Sequence, residues 1–287
     1  MCDEQQVIQW GRAVLSRRRM GAMAIGGAAA ACTPLRQAAG GSSSALAESS
    51  VTFASPGGTM DGFFVHPARG RHPAVVLWPD VAGLREAKRQ MARRLAASGY
   101  AVLVLNPYYR DVRGEQFADF PTFAAQGGFQ TVKPWRDKLV AGAILQDAQA
   151  AAGWLTAQQA VDPERGIGNQ GYCMGGPFTI WSASGVPRIR AAASFHGGGL
   201  VRDSETSPHR LLRADTHYLI AIAEDDDAKE PAPKTALRSA ADAAGSRAEI
   251  EVYPAAHGWC VPDSPAYDEV QAERAWARLL ALYSAAL

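Results

Sequence analysis

Gly166-Ile167-Gly168-Asn169-Gln170-Gly171-Tyr172-Cys173-Met174-Gly175-Gly176 decides how the rest of the chain is read. A strand-like run over 166–170 enters a cluster of glycines, and a helix to about Ser184 follows directly. Glycines two residues either side of Cys173 permit a turn so sharp that the central side chain is pushed out at the end of the strand. The helix behind it turns backbone N–H groups toward the same point, and its dipole favours a thiolate. The plain alternative is an ordinary buried cysteine in a glycine-rich turn.

On both sides of this turn short apolar runs alternate with helical patterns. Residues 51–54 and 60–65, separated by Ser55-Pro56-Gly57-Gly58, read as a hairpin. Residues 74–78, 101–105, 191–195, 218–223 and 248–253 read as strands, the first two as continuous apolar runs of the buried kind. Helices are expected before Gly99, over 138–157, near 233–244 and over 266–287. The first carries Arg85, Lys88, Arg89, Arg93 and Arg94, read as a solvated face. This alternation predicts an α/β fold, a mostly parallel sheet with helices on both faces. Phe120, Phe123, Phe129 and Trp135 fall in the long segment after the second buried strand, as a lid, a pocket wall or simple loop packing.

Two further points carry chemistry. Glu224-Asp225-Asp226-Asp227 directly follows one predicted strand, and His257, in Ala255-Ala256-His257-Gly258, follows the next. Nucleophile, acid and histidine thus stand in the order of the α/β-hydrolase fold, each at the end of a later strand. Pattern alone does not rank the acidic residues. His196, in Phe195-His196-Gly197, also follows a strand; a structural hydrogen bond and a place in the pocket are its two readings.

With these residues in hand, 51–287 resembles the dienelactone hydrolases, whose Gly-Tyr-Cys-Met-Gly-Gly motif is specific because most α/β-hydrolases carry serine there. The resemblance implies an α/β-hydrolase fold and a Cys-Asp-His triad made of Cys173, Asp226 (alternatively Asp225) and His257, the last in an Ala-His-Gly-Trp motif that includes Trp259. It places Asp80 where the family usually has a glutamate that meets the nucleophile and an arginine. Arg110 matches an arginine after the second buried strand, and Val261 stands where a second family arginine would be. The implied reaction is ester or lactone cleavage through a thioester, with the oxyanion on the backbone N–H groups of Val81 and Met174. It needs no metal and no cofactor. Asp80, Arg110, His196 and Trp259 are the expected substrate-binding or activating residues.

Ser16-Arg17-Arg18-Arg19-Met20, a soft apolar run to Ala31 and Ala45-Leu46-Ala47 have the layout of a twin-arginine export signal. Residues 1–47 would leave, and 48–287 would form one domain in the periplasm. Lipid anchoring through Cys32 and a cytoplasmic protein are the alternatives. The 287 residues are 47% apolar, which excludes a disordered chain, and 29 basic against 28 acidic groups give no electrostatic case for nucleic acid. Four cysteines form no disulfide framework and no C-x-x-C pair, and no apolar stretch is long enough to span a membrane. The expected partners are a small ester or lactone and the export machinery. An inactive hydrolase-fold binding protein and a thiol redox protein using Cys173 and Cys260 are the rival functions; a disulfide between these two would block catalysis, and a separate buried Cys260 thiol is the other reading.

Overall fold

A computed structural model describes residues 45–287. The arginine cluster at 16–19, the apolar run at 20–31 and Cys32 lie outside the described residues. In chain order the elements are β1 (Leu46–Ser55), β2 (Gly58–Pro67), β3 (Ala74–Trp78), α1 (Glu86–Ala97), β4 (Ala101–Leu105), α2 (Phe120–Ala125), α3 (Gly128–Arg136) and α4 (Ala141–Thr156). They continue with β5 (Ile167–Tyr172), α5 (Gly176–Gly185), β6 (Ile189–Phe195), β7 (His217–Ala223), α6 (Glu224–Lys229), α7 (Ala232–Ala244), β8 (Arg247–Tyr253) and α8 (Glu269–Ala286).

The strands form a single sheet in the order β1-β2-β4-β3-β5-β6-β7-β8. The β1–β2 and β2–β4 pairs are antiparallel, and every pair from β4 to β8 is parallel. Both β3 and β4 are buried along their whole length. Alternate side chains serve opposite faces: Ala74, Val76 and Trp78 join the core beneath α4, α5 and α7, while Val75 and Leu77 join the one beneath α1 and α8. From β3 the chain goes to β4 on one side and returns later to β5 on the other. That reversal opens a crevice at the carboxyl ends of β3 and β5, the place where open α/β sheets bind ligands.

Three departures from the sequence reading have physical causes. β1 begins at Leu46 rather than at residue 51, and its first rungs pair Leu46 with Pro67 and Ala47 with His66. Residues 48–50 are exposed on an edge strand, so no apolar pattern marks them, and the expected cleavage site falls in this paired stretch. The acidic run after β7 is itself a short helix, α6. Most important, the face of α1 read as solvated is not uniformly so: Arg85 and Lys88 are both 0% exposed.

Candidate active site

Cys173 opens a short 3-10 turn between β5 and α5, with φ at +51°. His196 at +40°, at the end of the adjacent strand β6, is the other non-glycine with positive φ among the described residues. Such backbone costs about 1–3 kcal/mol per residue, and it clusters at functional sites. The turn tolerates no side chain at Gly171 or Gly175. A Cβ on Gly171 would lie 2.0 Å from the Gly175 carbonyl oxygen, and one on Gly175 would lie 2.7 Å from the carbonyl oxygens of both Trp78 and Pro79. The second contact also shows how closely the Cys173 turn is pressed against the loop after β3.

That loop is fixed by Asp80, which is buried. Its Oδ1 accepts the Ala82 N–H at 3.0 Å and its carbonyl accepts the Gly83 N–H at 2.9 Å. The intervening Val81 N–H takes no part in this pair of bonds. Tyr108 braces the same loop from the end of β4: its hydroxyl donates to the Val81 carbonyl at 2.8 Å and lies 3.4 Å from Met174 Sδ. One phenol therefore touches both residues expected to supply oxyanion donors. Burial, then the charge of Asp80, raises its pKa above the ordinary tyrosine range, so it stays a hydroxyl. Tyr108 was not singled out from the sequence, because nothing near it in the chain marks a contact with Val81 or Met174.

The acid and histidine meet across β7 and β8. His257 Nδ1 is 2.6 Å from Asp226 Oδ2, while Asp225 Oδ1 accepts the His257 backbone N–H at 2.9 Å. The two carboxylates left unranked by the sequence thus have different tasks, Asp226 on the ring and Asp225 on the main chain. The His196 ring packs edge-on to His257 at 4.7 Å between centroids and to Trp259 at 5.3 Å. Neither His196 ring nitrogen has a hydrogen-bond partner among the described residues, so the structural hydrogen bond expected of it is not formed. Burial, then the neighbouring His257, lowers its pKa well below the histidine range and keeps the ring neutral.

Asp80 does not meet Arg110. Both Arg110 terminal nitrogens bind the buried Asp147 on α4 at 2.8 Å, which draws this arginine toward the β1–β2 hairpin rather than the crevice. Asp80 is held instead by Arg85 at 2.7 and 3.0 Å and by Lys88 at 2.8 Å. Desolvation opposes its charge, but these two cations outweigh it and hold its carboxyl well below the usual carboxylate range. Phe123 and Phe129 pack within the α2–α3 segment, 4.7 Å apart between centroids, while Trp135 lies 5.5 Å from Tyr108 and borders the site. Cys260 is a free buried thiol, so no bridge joins it to Cys173. Among the described residues, no group of three or more histidine, cysteine, aspartate or glutamate side chains is arranged to hold a metal.

A mostly parallel sheet, a strained cysteine turn after β5 and an Asp–His pair on the loops after β7 and β8 define an α/β-hydrolase. The model of the dienelactone hydrolase family matches residues 60–287, and the chain belongs to that family. It is similar to a protein of Escherichia coli K12 named carboxymethylenebutenolidase, 29% identical over 79% of this chain and 82% of that one. A Salmonella typhi protein of the same name is 28% identical over 82% of this chain and 86% of that one. Among solved structures, a dienelactone hydrolase from Klebsiella pneumoniae superposes with a TM-score of 0.71 at 26% identity, covering 84% of this chain and 99% of that one. At the level of the family, the chain is a hydrolase of ester or lactone bonds acting on a small molecule.

Proposed function

We propose that this chain is an exported hydrolase that cleaves a carboxylic ester or lactone through the thiolate of Cys173. The observation that carries the reading is Cys173 at φ +51° between two obligatory glycines, beside a loop pair in which Asp226 holds the His257 ring at 2.6 Å. With Nδ1 of His257 protonated and directed at Asp226, Nε2 is left to accept the thiol proton. The thiolate adds to the carbonyl carbon, and the oxyanion takes hydrogen bonds from the Val81 and Met174 N–H groups. Collapse breaks the ester C–O bond, His257 protonates the departing alcohol, and a thioester remains. Water deprotonated by His257 then adds to the thioester, releasing the acid and restoring the thiol.

Asp80 has no part in proton transfer in this scheme, because two buried cations fix its charge; it shapes the Val81 loop. Export rests on the arginine cluster at 17–19, the apolar run behind it and the Ala45-x-Ala47 site. The reaction needs the reduced cysteine, so the assay is run with a reductant on p-nitrophenyl acetate and on a neutral enol lactone. Hydrolysis is expected to fall to background in Cys173→Ala, with a fold unchanged by circular dichroism. Activity that survives this substitution would sink the mechanism, and equal loss on Cys260→Ala alone would favour a redox protein.

A further inference from the structure

Arg85 is a fully buried cation whose every N–H is used. Nε and Nη2 bind Asp263 at 2.7 Å each, Nη1 and Nη2 bind Asp80 at 2.7 and 3.0 Å, and Nη1 also reaches the Gly83 carbonyl at 3.3 Å. A guanidinium has five N–H donors, and here all five have acceptors. It therefore has nothing left to offer a substrate, and its role must lie in what it joins. Asp80 precedes the oxyanion residue Val81 in the loop after β3. Asp263 lies six residues beyond His257, connected to it by a stack of tight turns in which the Trp259, Val261 and Ser264 N–H groups bond to the Ala256, Gly258 and Val261 carbonyls. Asp263 Oδ2 also accepts the Phe120 N–H at 2.9 Å, at the first residue of α2. The Arg85 guanidinium lies 5.8 Å from the centre of the Phe120 ring.

We infer that Arg85 and Asp263 are positioning residues of the hydrolytic site, a bidentate clamp that fixes the loop carrying the base His257 against the loop carrying the oxyanion donor Val81, with the start of α2 fastened to both. This rests on the hydrolase reading above. Asp80, Arg85, Lys88 and Asp263 together carry no net charge, so the buried group is neutral as a unit. Paired charges with fork-to-fork geometry hold direction as well as distance, which hydrophobic packing between two loops does not. The base moves protons to and from the groups that join and leave the same tetrahedral centre whose oxyanion the donor binds, so their relative placement sets the rate of the chemical steps while contributing little to ground-state binding.

The test is the kinetics of Asp263→Asn and Asp263→Ala on p-nitrophenyl acetate under reductant, below the melting temperature of each variant. The expected result is a kcat lower by about tenfold to a hundredfold, as for a small misplacement of catalytic groups, with KM within about twofold of wild type. Asp263 is partly open to solvent, with 17% of its side chain exposed, so added formate is expected to enter the Asp263→Ala site and restore part of kcat. A lowered melting temperature with wild-type kcat would show a merely structural role and overturn the clamp, as would a rise in KM alone. Failure of both variants to fold, formate present, would overturn it too. A wild type that hydrolyses no ester overturns the underlying hydrolase reading; an active wild type matched by Asp263→Asn overturns the clamp alone.

Discussion

At the residue scale, two adjacent aspartates separate by what they touch. Asp226 faces the His257 ring and Asp225 the His257 main chain, so an amide in place of each has different consequences. Asparagine at 226 no longer enforces the tautomer with Nδ1 protonated, and kcat is expected to fall by about 10⁴-fold, the loss seen when a triad aspartate becomes asparagine. Asparagine at 225 can still accept from the backbone N–H and is expected to cost about tenfold or less, since a neutral acceptor replaces a charged one. Steady-state kinetics on p-nitrophenyl acetate compares the two; equal losses would show that the loop, not the ring contact, is what matters. The turn itself is stricter. Gly171→Ala would bring a methyl group to 2.0 Å from a carbonyl oxygen, and the expected outcome is loss of soluble, folded protein on expression rather than a slower enzyme.

At the element scale, α1 holds the largest lesson about what the sequence can carry. Its charges at 85, 88, 89, 93 and 94 have the look of a wetted face, and Arg89, Arg93 and Arg94 do pair with surface carboxylates. Arg85 and Lys88 do not, because their partners are Asp80 in the preceding loop and Asp263, 178 residues farther along the chain than Arg85. No periodicity within α1 encodes an acceptor that distant. The strands were legible for the opposite reason: β3 and β4 are buried on both faces, so the apolar run is the whole signal. That Cys173, Asp226 and His257 stand beyond the ends of β5, β7 and β8 was legible because each follows a strand-like run, whereas the opening rungs of β1, paired on one side and exposed at 48–50, leave no mark. Buried ion pairs are costly to break singly. Lys88 Nζ lies 2.8 Å from Asp80 and 4.5 Å from the centre of the Tyr172 ring, so Lys88→Met leaves the cluster with an excess negative charge. The expected loss is about 3 kcal/mol, read from the urea midpoint at constant slope; an unchanged midpoint would mean that Arg85 alone neutralises Asp80.

For the whole molecule, the buried titratable groups set a lopsided dependence of stability on pH. Asp80 is held below the ordinary carboxylate range by Arg85 and Lys88, against desolvation. Its contribution is present above the unfolded carboxylate value of about 3.9 and is lost only as pH falls through the lower folded value, so the fold is expected to resist mild acid. The alkaline side differs. Burial pushes the Cys260 thiol up to about 12, and Tyr253 likewise to about 12 through burial and the charge of Glu251. A group whose folded pKa is raised stabilises fully below its unfolded value and loses that contribution as pH rises through the folded one. Unfolded thiols titrate near 8.5 and tyrosines near 10, so between about pH 8.5 and 10 Cys260 loses its share ahead of the tyrosines, at up to about 1.4 kcal/mol per pH unit. Lys88 is shifted down by burial and works in the opposite sense, which makes the difference between two proteins the proper measurement. Urea unfolding at pH 7, 8.5, 9.25 and 10 is expected to show wild type losing stability relative to Cys260→Ala mainly across the upper three points, with only about 0.4 kcal/mol lost between the first two. Parallel curves would mean that the thiol is as free to ionise in the fold as in the unfolded chain.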